Sequence, residues 1–362
     1  MNIAMIGHKQ VPSREGGIEV VVSELAYRMA EKGNSVTCFN RKGGREAENR
    51  VPYKIITVPT IQKKGLAAAS SSFFSAVRAA AGRYDVVHFH AEGPAFMCRI
   101  PKLVGKKVIV TVHGLDHQRA KWGRFASAYI KGGEKNAVKY ADHIIVLSRN
   151  VQQYFLDTYA RETVYIPNGI ERPEKKGPDL ITKKYGLEKN GYILFVGRLV
   201  PEKGLTYLIE AFKKTDTGKK LVIAGGSSDT DIFTGELKKA CEDDDRIIFT
   251  GFATGRLLEE LYSNAYVYVL PSDVEGMPLT LLEAMSYGNC CLTSDIAECT
   301  EVTEDKALSF KKGDPADLKE KLQYLIKNED IVSYYKANAS DYICSRYNWD
   351  EVTDRTLMLY RN

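Results

Sequence analysis

A chain of 362 residues, 44% hydrophobic and 27% charged, suffices for two or three domains with sizeable cores, since domains run to roughly 100–200 residues. A small disulfide-stapled module, a disordered chain and a collagen-like repeat are therefore ruled out. The formal net charge of +5 hides a division: residues 1–170 carry 25 Lys/Arg against 13 Asp/Glu, or +12, and the remainder 26 against 33, or -7. A basic first half either faces something anionic (nucleic acid, a phospholipid surface, a phosphorylated substrate) or is a solvated charged face.

From the N-terminus, short β-rich runs alternate with helical patterns. Ile3–Ile6 is followed by a helix over about Ile18–Lys32, then by Ser35–Phe39, Val86–His90, Val108–His113 and His143–Leu147. Strand, helix, strand at this spacing implies parallel βαβ units. The stretch Pro167–Asp179, PNGIERPEKKGPD, holds three prolines and two glycines and reads as a connector. The alternation then restarts with Tyr192–Val196, Lys220–Ala224, Arg246–Thr250, Tyr266–Leu270 and Cys290–Ser294. The expectation is α/β with two doubly wound, Rossmann-like domains, residues 1–168 and 169–348, the segment 349–362 crossing back to the first.

The seven cysteines (Cys38, Cys98, Cys241, Cys290, Cys291, Cys299, Cys344) are odd in number, form no CxxC pair and sit mostly in apolar runs. This is the usage of a reduced, cytoplasmic protein. The start MNIAMIGHK has no basic leader, and nowhere do 18 apolar residues follow one another. Neither a secretory signal nor a membrane span is expected, and a peripheral contact at the inner face of the cell membrane stays open.

Candidate chemistry concentrates where strands run into loops. After the first strand, Gly16 and Gly17 precede an amphipathic helix, where backbone N–H groups can meet an anion or the glycines simply turn the chain. The segment is not the GxGxxG dinucleotide fingerprint. After Tyr192–Val196, GRLVPEKG puts Arg198 and Lys203 on the loop at a strand's carboxyl end, where two cations can hold a diphosphate without metal or can merely be solvated. After Tyr266–Leu270, SDVEGMPLTLLEAMSYG predicts a helix from about Pro278 to Tyr287, closed by Gly288. Glu275 then lies in the loop before the helix and Glu283 within it. The N–H groups around Gly276, Met277, Pro278, Leu279 and Thr280 face out of the positive helix end.

His113 ends a strand and precedes Gly114, a ligand-facing position or a plain strand-end histidine. His88 and His90 share one strand face but lack a third ligand, so no metal site is expected. Between Asp116 and Tyr140, Arg119, Lys121, Arg124 and Lys131 interleave with Trp122, Phe125 and Tyr129. The cations suit anionic lipid or a lipid-linked acceptor, and the aromatics fit a buried stripe.

Taken in order, GGIE (16–19), GRLVPEKG (197–204) and EGMPLTLLE (275–283) resemble the retaining glycosyltransferases of family 4, which have the GT-B fold. HGLDHQRAKWGRF (113–125) is similar to the corresponding segment of bacterial rhamnosyl- and related surface-polysaccharide transferases. The resemblance implies transfer from a nucleotide-diphosphate sugar to a glycan or lipid-linked acceptor, with no metal or other cofactor. It implies that Gly16 and Gly17 approach the diphosphate while Arg198 and Lys203 neutralise it. Glu283 would hold the ribose, Glu275 and the N–H groups of Gly276–Leu279 the sugar, and His113 would lie near the reacting carbon. Cys290–Cys291 departs from the Pro-Val common in relatives. A metal-dependent enzyme using Asp229–Asp231 or Asp243–Asp245, and a non-catalytic sugar-nucleotide binder, are the rival readings. No RNA or DNA motif supports nucleic-acid binding.

Overall fold

The computed structural model describes residues 1–43, 50–63, 65–118, 123–226 and 231–362. The chain divides into two compact units, Met1–Gly169 with Trp349–Asn362, and Ile170–Asn348. In the first, strands β1 (Asn2–Ile6), β2 (Ser35–Arg41), β3 (Lys54–Val58), β4 (Val86–His90), β5 (Lys107–Val112), β6 (His143–Val146) and β7 (Val164–Tyr165) form a parallel sheet in the order β3-β2-β1-β4-β5-β6-β7. In the second, β8 (Tyr192–Val196), β9 (Lys220–Ala224), β10 (Ile247–Gly251), β11 (Val267–Leu270), β12 (Cys290–Ser294) and β13 (Leu308–Phe310) are ordered β10-β9-β8-β11-β12-β13, again parallel.

The strands read as near-continuous apolar runs because helices cover both faces of a parallel sheet. KVIVTV of β5, YILFV of β8 and KLVIA of β9 are almost wholly buried. Helices supply the covering stripe: Gly17–Glu31 buries Val21, Val22, Leu25, Ala26 and Met29, a 3.6-residue period, each large apolar side chain contributing about 1.5–3 kcal/mol.

The last helix, Trp349–Arg361, belongs to the first unit and packs on the helix Gly17–Glu31. Gly169 admits it: a Cβ there would lie 2.6 Å from the backbone nitrogen of Trp349. Lys32 pairs with Asp354 at 2.6 Å, and the Tyr360 hydroxyl reaches Nδ1 of His88 at 2.6 Å inside the core. Nε2 of His88 meets Thr111 Oγ1 at 2.7 Å. Both nitrogens of this histidine are thus engaged, and burial lowers its pKa to about 3, so it is neutral.

Candidate active site

In each sheet the strand order reverses once, between β1 and β4 and between β8 and β11. At such a switch point the loops leaving the two carboxyl ends run apart and open a crevice, where open α/β sheets bind ligands.

At the β8/β11 point the two loops are locked together. Gly204 has φ +66°, and a Cβ there would sit 1.9 Å from the carbonyl oxygen of Pro271, so only glycine allows this approach. The amide of Asp273 donates to Glu202 O at 2.9 Å, and Tyr207 Oη lies 3.2 Å from Asp273 Oδ2. Lys203 Nζ donates to Glu275 Oε1, both side chains being largely buried. Two residues read separately from sequence, one for a phosphate and one for a sugar, are thus partners here. Arg198 is half-buried on the same loop and has no carboxylate partner among the described residues. A guanidinium without a carboxylate beside it can attract an anion.

The helix after β11 runs Leu279–Ser286 with Pro278 as its extended N-cap, one residue inside the expected limits at each end. Glu275, Gly276, Met277 and Pro278 are buried, and Leu279 and Thr280 half-buried. Glu283, half-buried, accepts from the Tyr262 hydroxyl at 3.1 Å, and Tyr262 stacks on Tyr287 with centroids 5.4 Å apart. A diol binding Glu283 would find it already oriented. Cys290 and Cys291 open β12 fully buried, and burial raises both thiols, consistent with packing roles.

At the β1/β4 point the loop after β5 also contributes. Nε2 of His113 lies 3.1 Å from Nδ1 of His90, whose ring stands 4.1 Å from that of His88. The strand-face reading of His88 and His90 therefore leads to a row of three closely spaced rings, the last two hydrogen-bonded, ending at half-buried His113. Burial lowers the pKa of His90 well below the usual range and that of His8 to about 4, so neither carries charge near neutrality. Gly16 is the extended N-cap of the helix that Gly17 opens. The carboxylate of Glu19 folds over this end: Oε1 accepts from the Lys9 amide at 2.8 Å, and a Cβ on Gly16 would lie 2.2 Å from Oε2. An anion approaching Gly16 and Gly17 must displace that side chain.

One cluster had no sequence signal. Glu92 and Glu134 are both fully buried, near half-buried His117. Burial raises the Glu92 carboxyl. Burial also opposes ionisation of Glu134, but hydrogen bonds from Glu92, Lys131, Tyr159 and Tyr154 together outweigh it and lower its pKa. Glu202, buried with no partner on either carboxylate oxygen among the described residues, was also missed.

The expected aromatic stripe needs correction. Phe125 is 95% exposed; Tyr129 stacks on Phe96 at 4.6 Å, and Arg119, Lys121 and Trp122 lie outside the described residues. The helix Arg124–Tyr140 instead buries Ile130, Gly133, Glu134 and Ala137, a face that continues back to residue 126 and excludes 125. The Asp-x-Asp candidates fare differently from each other. Asp229 and the side chain of Asp231 are outside the described residues; Asp243 pairs with Lys213 and Asp244 with Arg246, at 2.8 Å, just before β10, at the amino edge of the sheet.

Residues 15–172 match the family model described as Glycosyltransferase Family 4, and residues 179–342 the model described as Glycosyl transferases group 1. The chain is a family 4 glycosyltransferase. The glycosyltransferase is 25% identical to the alpha-maltose-1-phosphate synthase of Mycolicibacterium smegmatis, across 100% of this chain and 99% of that one. It is 30% identical to the UDP-Gal:alpha-D-GlcNAc-diphosphoundecaprenol alpha-1,3-galactosyltransferase of Escherichia coli, over 59% and 58% of the two chains. Sucrose-phosphate synthase from Thermosynechococcus elongatus matches with a TM-score of 0.84 at 22% identity, covering 99% of this chain and 98% of that one. The shared fold is GT-B, two Rossmann-like domains.

Proposed function

We propose that this glycosyltransferase moves a sugar, with retention, from a nucleotide-diphosphate sugar to a glycan or lipid-linked acceptor in surface-polysaccharide synthesis. The observation that carries the donor assignment is Arg198, without a carboxylate partner among the described residues, on the same loop as the Lys203 that pairs with Glu275 at the β8/β11 switch point. In this reading Arg198 and Lys203 meet the diphosphate, Glu283 the ribose, and Glu275 with the amides of Gly276–Thr280 the sugar, while Gly16 and Gly17 approach the phosphates. As the anomeric bond breaks, negative charge grows on the leaving diphosphate, and fixed cations and helix-end amides stabilise it with no metal ion. The freed phosphate oxygen takes the acceptor's proton on the same face, so configuration is kept. Residues 169–348 thus bind the donor and residues 1–168 the acceptor. The Escherichia coli relative's name, with UDP-Gal as donor and a diphosphoundecaprenol acceptor, supports the substrate classes.

Incubation with a panel of sugar nucleotides and lipid-linked acceptors should release nucleoside diphosphate only when both substrates match, and the glycosidic linkage formed should keep the donor's anomeric configuration. Tight donor binding with no release for any acceptor would make the chain a sugar-nucleotide binder instead.

A lipid-linked acceptor places the enzyme at the inner face of the membrane, and the first unit offers a surface for it. No helix among the described residues is long and apolar enough to cross a membrane. The helix Leu66–Ala81 exposes Leu66, Phe73, Phe74 and Val77; the adjacent helix Arg99–Leu103 and the residue after it expose Leu103 and Val104 among basic residues. Exposed apolar side chains near Arg99, Lys102, Lys106 and Lys107 in the sequence suit an anionic lipid surface. The protein should sediment with vesicles containing phosphatidylglycerol and not with phosphatidylcholine alone, and F73S/F74S should weaken sedimentation; equal recovery from both vesicle types would remove the lipid contact.

A further inference from the structure

The cluster around Glu92 is built like a metal centre. Gly133 brings its parts together, because a Cβ there would stand 1.9 Å from the carbonyl oxygen of Glu92, so the short helix Glu92–Ala95 lies directly on the helix Arg124–Tyr140. Each carboxylate then has one oxygen fixed by protein donors. The Asp116 amide donates to Glu92 Oε2 at 2.8 Å; Lys131 Nζ and the Tyr154 hydroxyl donate to Glu134 Oε1 at 2.8 and 2.9 Å, and the Tyr159 hydroxyl donates to the same atom. The other oxygen of each, Glu92 Oε1 and Glu134 Oε2, is buried, as is Nδ1 of His117, and among the described residues none of the three has a hydrogen-bond partner outside the cluster. These orphaned atoms face one another. Nδ1 lies 3.7 Å from Glu92 Oε1 and 3.3 Å from Glu134 Oε2, and the three residues each offer a ligand atom within 4.8 Å of the others.

A proton can bridge two of these atoms, and in the tautomer that leaves Nδ1 unprotonated three acceptors turn toward one point, an arrangement that suits a cation. Two carboxylates and one imidazole are a ligand set for zinc and similar divalent ions. With bonds of about 2.0–2.1 Å, tetrahedral ligands stand roughly 3.3–3.4 Å apart, close to the separations here. The donors on the outer oxygens are the supporting contacts that orient ligands at such sites.

We propose that Glu92, His117 and Glu134 bind one divalent, zinc-type metal ion, with a fourth position left for water. The ion ties the turn Asp116–Gln118, which follows β5 and His113, to the helices Glu92–Ala95 and Arg124–Tyr140. None of its ligands is among the residues assigned to the donor, and the site does not depend on the transfer reading.

The test is zinc content of the full chain after equilibration with zinc chloride and desalting, measured by mass spectrometry, with an X-ray absorption spectrum of the loaded protein. About one equivalent per chain is expected, with a first shell of nitrogen and oxygen at ~2.0–2.1 Å. Glu134→Gln and His117→Ala should each lose most of it. His117 sits on a partly exposed turn, so His117→Ala should keep the wild-type circular dichroism and donor affinity even if Glu134→Gln does not fold. Negligible zinc in the wild type, full zinc in folded His117→Ala, or a sulfur shell from one of the cysteines would each overturn the proposal.

Discussion

Arg198→Ala should weaken sugar-nucleotide binding by about 2–3 kcal/mol, roughly 30- to 150-fold, with little change in melting temperature. The reason is that among the described residues no carboxylate pairs with this guanidinium, so its removal breaks no ion pair there. Lys203→Ala should behave differently. It removes the ammonium that buried Glu275 faces, and breaking a buried pair from one side costs about 3–5 kcal/mol of stability. The variant should therefore melt early as well as bind donor weakly, and Lys203→Arg should recover part of the stability. Calorimetric titration with the donor, next to thermal melts, reads both quantities. Unchanged donor affinity in Arg198→Ala would remove it from the diphosphate site.

His113→Ala should lower kcat by about 10²–10³ while donor affinity stays within about threefold, the pattern of a group that acts mainly on the transition state. Its ring is held by His90, whose ring lies 4.1 Å from that of His88, which in turn is fixed by Thr111 and Tyr360, so the position is set by three elements of one unit, β4, β5 and the last helix. His90 is buried and neutral. Steady-state rates at saturating donor, together with donor titration, check the split. A wild-type kcat would place His113 outside the reaction, and a loss of affinity as large as the loss of rate would make it a ground-state contact.

The fold was legible because both sheets are parallel and buried, so their central strands are unbroken apolar runs that composition alone marks out. Strands that carry little burial left no such mark: the two residues of β7, the three of β13 and the half-buried KIITV of β3 are too short or too mixed for a period to show. Candidate residues were legible where the chain itself presents them, as with Arg198 on the loop after β8 or Glu283 in a helix bounded by Pro278 and Gly288. They were hidden where the fold supplies the partner. Lys203 and Glu275 are 72 residues apart, and no local pattern joins them. Glu92, His117 and Glu134 come from two helices and a turn, and meet only because Gly133 allows close contact. Phe125 was misread for the opposite reason: its spacing to Tyr129 suits a helix stripe, but the face that packs is set by Ile130, Gly133 and Ala137.

A crystal structure with the sugar nucleotide that most raises the melting temperature puts the donor assignment to its sharpest test. The diphosphate oxygens should lie about 2.7–3.2 Å from the Arg198 guanidinium and from amides at the start of the helix Leu279–Ser286, with no metal ion bridging them. Phosphates bound away from the β8/β11 switch point, or held there through a cation, would contradict it.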